Sequence, residues 1–66
     1  MEKDYIELNT FIKMKGLAPT GGQAKLLIRS GKVLVNGGVE LRNKRKLRKG
    51  DMVEVSNQTF TVSLDN

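Results

Sequence analysis

Apolar residues near the start of the chain recur at the spacing of one helix face. Leu8, Phe11 and Ile12 stand at i, i+3 and i+4, so they lie on the same side of a helix. A glycine after such a run is a common left-handed stop, and Gly16 occupies that place. The pattern predicts a first short helix over residues 7–15.

A second helix carries its own start and stop signals. Pro19 breaks the chain, and Thr20 with Gln23 forms a T-x-x-Q capping box, in which each side chain can bond the other residue's backbone amide. The predicted helix begins at about Gly21 and ends at Gly31. Its apolar face consists of Ala24, Leu27 and Ile28, and the cations on its other side are Lys25, Arg29 and Lys32.

Short β-branched runs between turn residues predict strands in the second half of the chain. Val33–Val35 runs into Asn36-Gly37, a strong hairpin signal because both residues tolerate positive φ, and residues 39–41 are predicted to return antiparallel. Residues 42–49 hold six cations in eight positions and are predicted to form a loop or an irregular edge. Two more strands are predicted at Met52–Val55 and 58–64, with a turn at Ser56-Asn57 and with Phe60, Val62 and Leu64 on one face.

The order of these elements predicts an α+β fold, in which two short N-terminal helices pack on a small, mostly antiparallel sheet of short strands. With 66 residues the chain has room for a single domain, residues 1–66. A domain of this size buries roughly 60% of the surface that its unfolded chain exposes, so its core is thin.

The cations are concentrated in the middle of the chain. The net charge is +5, and residues 8–50 contain eleven of the twelve Lys and Arg residues, with Glu40 as the single acid. Such an asymmetry is expected of a protein that meets a polyphosphate, because each neutralised phosphate releases condensed counterions. The alternative is that Lys and Arg only keep a small domain soluble, and one acid among eleven bases argues against it.

Missing residue types exclude several kinds of site. The chain has no Cys and no His, so it has no disulfide, no thiolate metal site and no His or Cys nucleophile or general base. Gly21-Gly22 does not align to the G-x-x-x-x-G-K-[ST] pattern of a Walker loop. We therefore expect no enzymatic activity, no metal and no cofactor. The acidic, polar N-terminus and the absence of a long apolar run lead us to expect a cytoplasmic protein with no membrane contact.

A set of short motifs occurs in a characteristic order and spacing along the chain. The segments are L-N-x-F-I at 8–12, G-L-A at 16–18, Q-A-K-x-L-I at 23–28, G-K-V-x-V-N-G at 31–37 and K-G-D-x-V at 49–53. With these motifs the chain resembles the RNA-binding domain of the ribosomal protein S-four type, also called the alpha-L motif, and most of all the small stand-alone bacterial members. The resemblance covers residues 8–55, and residues 56–66 are expected to form a C-terminal strand.

Two departures from the family pattern fall at the helix starts. Many members have R-L-D where this chain has Glu7-Leu8-Asn9, and S-R-S or similar where it has Thr20-Gly21-Gly22. No Arg contact is therefore transferred to these positions. Two glycines at a helix N-terminus leave backbone amides open to a phosphate, and the alternative is that they only shape the loop and cap.

The resemblance implies that the two-helix face and the adjoining strand edge bind structured RNA, with ribosomal RNA, a ribosomal particle or tRNA as partner. Lys25 and Arg29 lie one helical turn apart and Lys32 continues the stripe, so these cations could follow a phosphate backbone. The alternative is that the stripe is only the solvated side of an amphipathic helix. The candidate RNA-binding residues are Lys13, Lys15, Gln23, Lys25, Arg29, Lys32, Arg42, Lys44, Arg45, Lys46 and Arg48.

The few aromatic residues bear on the mode of recognition. Tyr5, Phe11 and Phe60 lie outside the basic segments, so we expect base stacking to be a minor term. The expected mode is recognition of phosphates and helical shape in folded RNA by a monomer, with weak sequence readout.

Other kinds of binding module would use the same charge. A DNA-binding module could insert the second helix in a major groove, although Lys25 and Arg29 are not accompanied by Asn or Gln along that face. A protein-interaction domain of a ribosome-associated complex is a further alternative. A membrane-surface role is disfavoured because the second helix has no Trp or Phe to insert.

Overall fold

The computed structural model describes residues 4–64 and arranges them as two helices and six short strands. The predicted α+β class is confirmed. Residues 1–3 and 65–66, the two ends of the predicted domain, lie outside the described residues. Residues 65–66 are also the end of the predicted C-terminal strand segment. Neither described helix has the length and apolar content needed to cross a membrane. The elements are β1 (Ile6–Glu7), α1 (Leu8–Met14), α2 (Gly21–Arg29), β2 (Val33–Val35), β3 (Gly38–Val39), β4 (Lys46–Leu47), β5 (Met52–Val55) and β6 (Gln58–Thr61).

Both helices lie where the sequence predicts them, and their ends follow the local signals. The Thr20 hydroxyl accepts the Gln23 amide at 3.1 Å, which caps α2. The reciprocal bond from the Gln23 side chain does not occur among the hydrogen bonds of residues 4–64, so half of the predicted capping box forms. Gly16 has a φ of 74°, which confirms the predicted left-handed stop, and Gly31, at the predicted end of the second helix, has a φ of 82°.

Four strands form an antiparallel sheet with the spatial order β3-β2-β5-β6. Its two hairpins turn at Asn36-Gly37 (φ 52° and 87°) and at Ser56-Asn57 (φ 53° and 67°), with positive φ at both central positions, as type I′ turns require. The strand β3 covers Gly38–Val39 and not the predicted 39–41, although the amide of the buried Glu40 still donates to the Val33 carbonyl at 2.9 Å before the chain leaves the sheet.

The strand β6 also ends earlier than the predicted 58–64. Beyond Thr61 the backbone bonds to the preceding turn: the Val62 amide donates to the Asp51 carbonyl at 2.8 Å, and the Gly50 amide donates to the Val62 carbonyl at 3.0 Å. Val62 is buried, while Phe60 and Leu64 are partly buried and pack against the core. The predicted apolar face therefore continues past the end of the strand.

A second, two-stranded pairing joins the N-terminus to the basic segment. In this antiparallel pair Ile6 stands opposite Leu47 and Glu7 opposite Lys46. The prediction of a loop or irregular edge over 42–49 is wrong at β4, and the sequence predicted no strand before α1. Strands of two residues that pair across most of the chain leave no periodicity to detect.

The core lies between the helices and one face of the sheet. Val33 stands opposite Val55, and Val35 opposite Val53, so these pairs present one apolar surface to α1 and α2. Leu47 is fully buried and connects the two-stranded pair to the same core. The remaining buried hydrophobic residues are Leu8, Phe11, Ile12, Ala18, Ala24, Ile28 and Val62.

Candidate nucleic-acid interface

The segment in which the predicted cations are most concentrated, residues 42–46 (here the basic loop), lies against the N-terminus of α1. The Leu8 amide donates to the Arg45 carbonyl at 2.8 Å, and the Asn9 amide donates to the Asn43 carbonyl at 3.0 Å. The residue before the helix makes no side-chain cap. The loop carbonyls thus accept hydrogen bonds from the first two amides of the helix, which otherwise have no partner, and these bonds fix the loop backbone.

Glu40 is the buried anchor of the basic loop. The Arg42 Nε and Nη2 donate to Glu40 Oε2 and Oε1 at 2.9 and 3.2 Å, and the Arg42 amide donates to Oε2 at 3.0 Å. The Arg45 Nη1 donates to Oε1 at 2.8 Å. The Arg42 side-chain bonds, with the bonds from its amide and from Arg45, hold the pKa of Glu40 at about 2, against the opposing effect of burial. Glu40 therefore stays ionised and ties both arginines to the fold.

A cleft of about 550 Å³ opens on the surface above this anchor, and its lining residues are Arg42, Lys44, Arg45 and Lys46. All four side chains are cations that donate hydrogen bonds and accept none. The cleft is therefore suited to an anion. Residues 4–64 contain no group of three or more His, Cys, Asp or Glu side chains placed to hold a metal ion.

Tyr5 lies at the edge of the basic loop. The Lys46 Nζ is 5.0 Å from the centroid of the Tyr5 ring, within the range of a cation–π contact, because β1 pairs with β4. In the sequence Tyr5 lies outside the basic segments, and the fold brings it beside Lys46. Phe11 is buried in the core and Phe60 packs against it, with the rings 6.5 Å apart. Of the three aromatic residues, Tyr5 is thus the one beside the cationic cleft.

Arg48 belongs to a different environment from the cleft. Its Nη1 lies 3.1 Å from Asp4 Oδ1, and its amide donates to Asp51 Oδ2 at 2.8 Å. The Asp51 carboxylate also accepts from Asn36 Nδ2 at 3.1 Å. The bond from the Arg48 amide, and next the bond from Asn36, lower the pKa of Asp51. Arg48 therefore has two acidic neighbours, Asp4 and Asp51.

The helix α2 exposes its predicted cationic stripe. Lys25, Arg29 and Lys32 are all exposed, and within residues 4–64 none of them forms a salt bridge. Lys13 on α1 is exposed, and the exposed Lys15, directly after α1, places its Nζ 5.4 Å from the Phe11 ring centroid. Gln23 is exposed at the start of α2. These side chains are accessible to a ligand where the sequence predicts it.

The arrangement of two short helices, a small antiparallel sheet and a basic loop matches a known family. A family model described as the S4 domain matches residues 1–63. The chain belongs to the S4 domain family. This confirms the resemblance drawn from the motifs at residues 8–55.

Two bacterial proteins are similar to this S4 domain in sequence. YbcJ of Escherichia coli is 34% identical over 58 residues, covering 88% of this chain and 83% of YbcJ. Its solution structure, described as an alpha-L motif involved in RNA binding, aligns with a TM-score of 0.67 over 92% of this chain and 77% of that one. The protein named "Probable ribosome maturation protein RlbA" of Bacillus subtilis is 36% identical over 55 residues, 83% of this chain and 78% of its own length.

A more distant structure shows the same fold. The 30S ribosomal protein S4e of Thermoplasma acidophilum aligns with a TM-score of 0.71 and 15% sequence identity over 92% of this chain. The alignment spans 32% of that longer protein, so it shows the fold of this S4 domain within a larger chain.

The sequence did not single out Glu40 as a residue of the site. In this S4 domain it is the residue that brings Arg42 and Arg45 together, and it is 7% exposed. The signal that could have found it was its isolation as the single acid within residues 8–50, where many cations are available to pair with it.

Proposed function

We propose that this S4 domain binds structured RNA through its phosphates and carries out no chemistry of its own. The observation that carries the proposal is the cleft lined by Arg42, Lys44, Arg45 and Lys46. A concave surface lined by four cationic side chains fits the repeated negative charge of an RNA backbone. The description of YbcJ as an alpha-L motif involved in RNA binding supports the same reading.

We further propose a ribosomal RNA, a ribosomal particle or a tRNA as the partner. The support comes from the name of the B. subtilis relative, which describes a ribosome maturation protein. A monomer acting in the cytoplasm is the simplest form of this proposal. It places the contact on the basic loop and on the exposed stripe of Lys25, Arg29 and Lys32, with Lys13, Lys15, Gln23 and Arg48 at its margins.

The test is a competition between nucleic acids at fixed salt. A fluorescein-labelled tRNA and a labelled ribosomal RNA hairpin are bound by the full chain, and unlabelled RNA duplex or DNA duplex of equal length is added. The proposal predicts that RNA displaces the probe at lower concentration than DNA does. If DNA competes equally well, the chain is a general nucleic-acid binder, and if neither RNA probe binds, a protein-interaction role replaces the proposal.

A further inference from the structure

Arg42 and Arg45 use different edges of their guanidinium groups to bind Glu40. Arg42 donates from Nε and Nη2, the edge with which arginine forms a two-bond fork. Arg45 donates from Nη1 alone. The fork edge of Arg42 is therefore occupied by the protein, and the fork edge of Arg45 is not.

The fork edge of Arg45 is also open to a ligand. Within residues 4–64 its Nε and Nη2 have no hydrogen-bond partner, and the one buried side-chain polar atom without a partner there is Asn43 Oδ1. The Nε and Nη2 of Arg45 thus reach solvent, and Arg45 lines the cleft together with Lys44 and Lys46.

Arg45 is held at three points. Its Nη1 bonds Glu40 at 2.8 Å, its carbonyl accepts the Leu8 amide at 2.8 Å and its amide donates to the Arg42 carbonyl at 3.3 Å. Its side chain is 31% exposed, against 72% for Arg42. A donor group fixed before binding loses little conformational entropy when a ligand arrives.

We propose that the Nε–Nη2 edge of Arg45 binds one phosphate of the RNA backbone, and that Glu40 is the positioning residue that holds this edge toward the cleft. Lys44 and Lys46 flank the phosphate as point charges, while Arg42 mainly tethers the loop. The inference rests on the proposed RNA-binding function. A phosphate fits better than a base edge, because the four lining side chains offer donors alone and most bases also present donors.

Removal of the Glu40 charge separates this inference from simple electrostatics. Glu40→Gln makes the protein more positive, so charge alone predicts tighter RNA binding, whereas loss of the positioning contact predicts weaker binding. Glu54→Gln is the matched control, since Glu54 lies on β5 opposite Leu34 and Thr59 and forms no salt bridge within residues 4–64. We expect Glu40→Gln to weaken binding of a labelled ribosomal RNA hairpin about tenfold, and Glu54→Gln to leave it unchanged or slightly tighter.

A second pair of variants keeps the charge and changes the geometry. Arg45→Lys retains the cation and loses the fork, so the hairpin should bind about tenfold more weakly. Arg42→Lys, which can still pair with Glu40, should change the affinity much less. These variants decide the matter if Glu40→Gln fails to fold, as checked by circular dichroism.

The arginine side chains also give a direct spectroscopic readout. In a ¹⁵N-labelled sample the Nε–Hε signal of Arg45 should shift and exchange more slowly with water when the hairpin is added, while the Arg42 signal stays in place. The inference is overturned if Arg45→Lys binds like the wild type, if a folded Glu40→Gln binds at least as tightly as Glu54→Gln, or if Arg42 responds instead of Arg45. If the wild-type protein binds no RNA, the proposed function fails, and this inference fails with it.

Discussion

The Asn36 side chain bridges two turns that stand far apart in the sequence, because its Nδ2 donates to Asp51 Oδ1 at 3.1 Å. Its Oδ1 accepts the Met52 amide at 2.9 Å, and the Asn36 amide donates to the Met52 carbonyl at 2.8 Å. The V-N-G and K-G-D motifs are therefore one structural unit. Asp51 also accepts the Arg48 amide, so the unit fixes the exit of the basic segment.

The contribution of this bridge can be isolated with two glycine variants. Asn36 and Asn57 both have positive φ in type I′ turns, so glycine relieves the same backbone cost at each position. Asn36→Gly also removes the side-chain bonds to Asp51 and Met52 and should lower the free energy of unfolding by about 1–2 kcal/mol. Asn57→Gly should change it by less than about 0.5 kcal/mol. Urea denaturation measures both, and equal effects would show that the bridge contributes nothing.

The two leucines that flank the basic loop differ in burial. Leu47 is fully buried and Leu41 is 56% exposed. Leu47→Ala should cost about 2–5 kcal/mol, which is comparable to the whole stability expected of so small a domain, so this variant should be largely unfolded at 37 °C. Leu41→Ala should stay folded. A cooperative thermal transition of Leu47→Ala at the wild-type temperature would contradict the observed core.

Acid should destabilise the fold through Glu40. Its pKa is about 2 in the folded protein, against an ordinary value of 4.5, so its stabilising effect is present above about pH 4.5 and is lost as the pH falls toward 2. We expect the free energy of unfolding to fall by on the order of 2 kcal/mol between pH 7 and pH 3 from this group, with a further decrease from Asp51, whose pKa is also lowered. The decrease should be smaller in Glu40→Gln and unchanged in Glu54→Gln. The same pH dependence in both variants would contradict this role of Glu40.

The cationic stripe of α2 can be tested with two double variants that have the same net charge. Lys25→Ala with Arg29→Ala lowers the charge by two, and so does Thr59→Glu with Thr61→Glu on the exposed positions of β6. The first double variant should weaken binding to the ribosomal RNA hairpin and reduce the slope of log K against log[salt] by up to about 2. The second should have a smaller effect. Equal effects would mean that overall charge, not the stripe, determines affinity.

The helices and hairpins could be predicted because their signals are local. The Thr20 cap, the glycine stops and the Asn36-Gly37 turn each act within a few residues, and all of them form as expected. The predicted strands 39–41 and 58–64 extend too far, since the place where a strand ends depends on the tertiary contacts of the residues that follow it. The Glu40 side chain pairs with two arginines, and the Val62 backbone bonds to the turn at Asp51.

The candidate site could be predicted in its composition but not in its geometry. The cations of residues 42–46 stand out by count, whereas the pairing of β1 with β4, which brings Tyr5 to Lys46, depends on contacts across most of the chain. From the sequence alone, Glu40 is an acidic residue with no assigned role in the site. Its role depends on burial and on the edges that Arg42 and Arg45 present, which sequence patterns do not encode.

A salt titration of RNA binding tests the central claim most directly. The affinity of the full chain for the labelled ribosomal RNA hairpin is measured from low to physiological salt, together with that of Lys44→Ala with Lys46→Ala. We expect log K to fall linearly with log[salt], and the slope of the double variant to be smaller in magnitude by up to about 2, because two cations that neutralise phosphate charge are removed. An affinity that does not change with salt, or a variant with the wild-type affinity and slope, would contradict phosphate recognition by the basic loop.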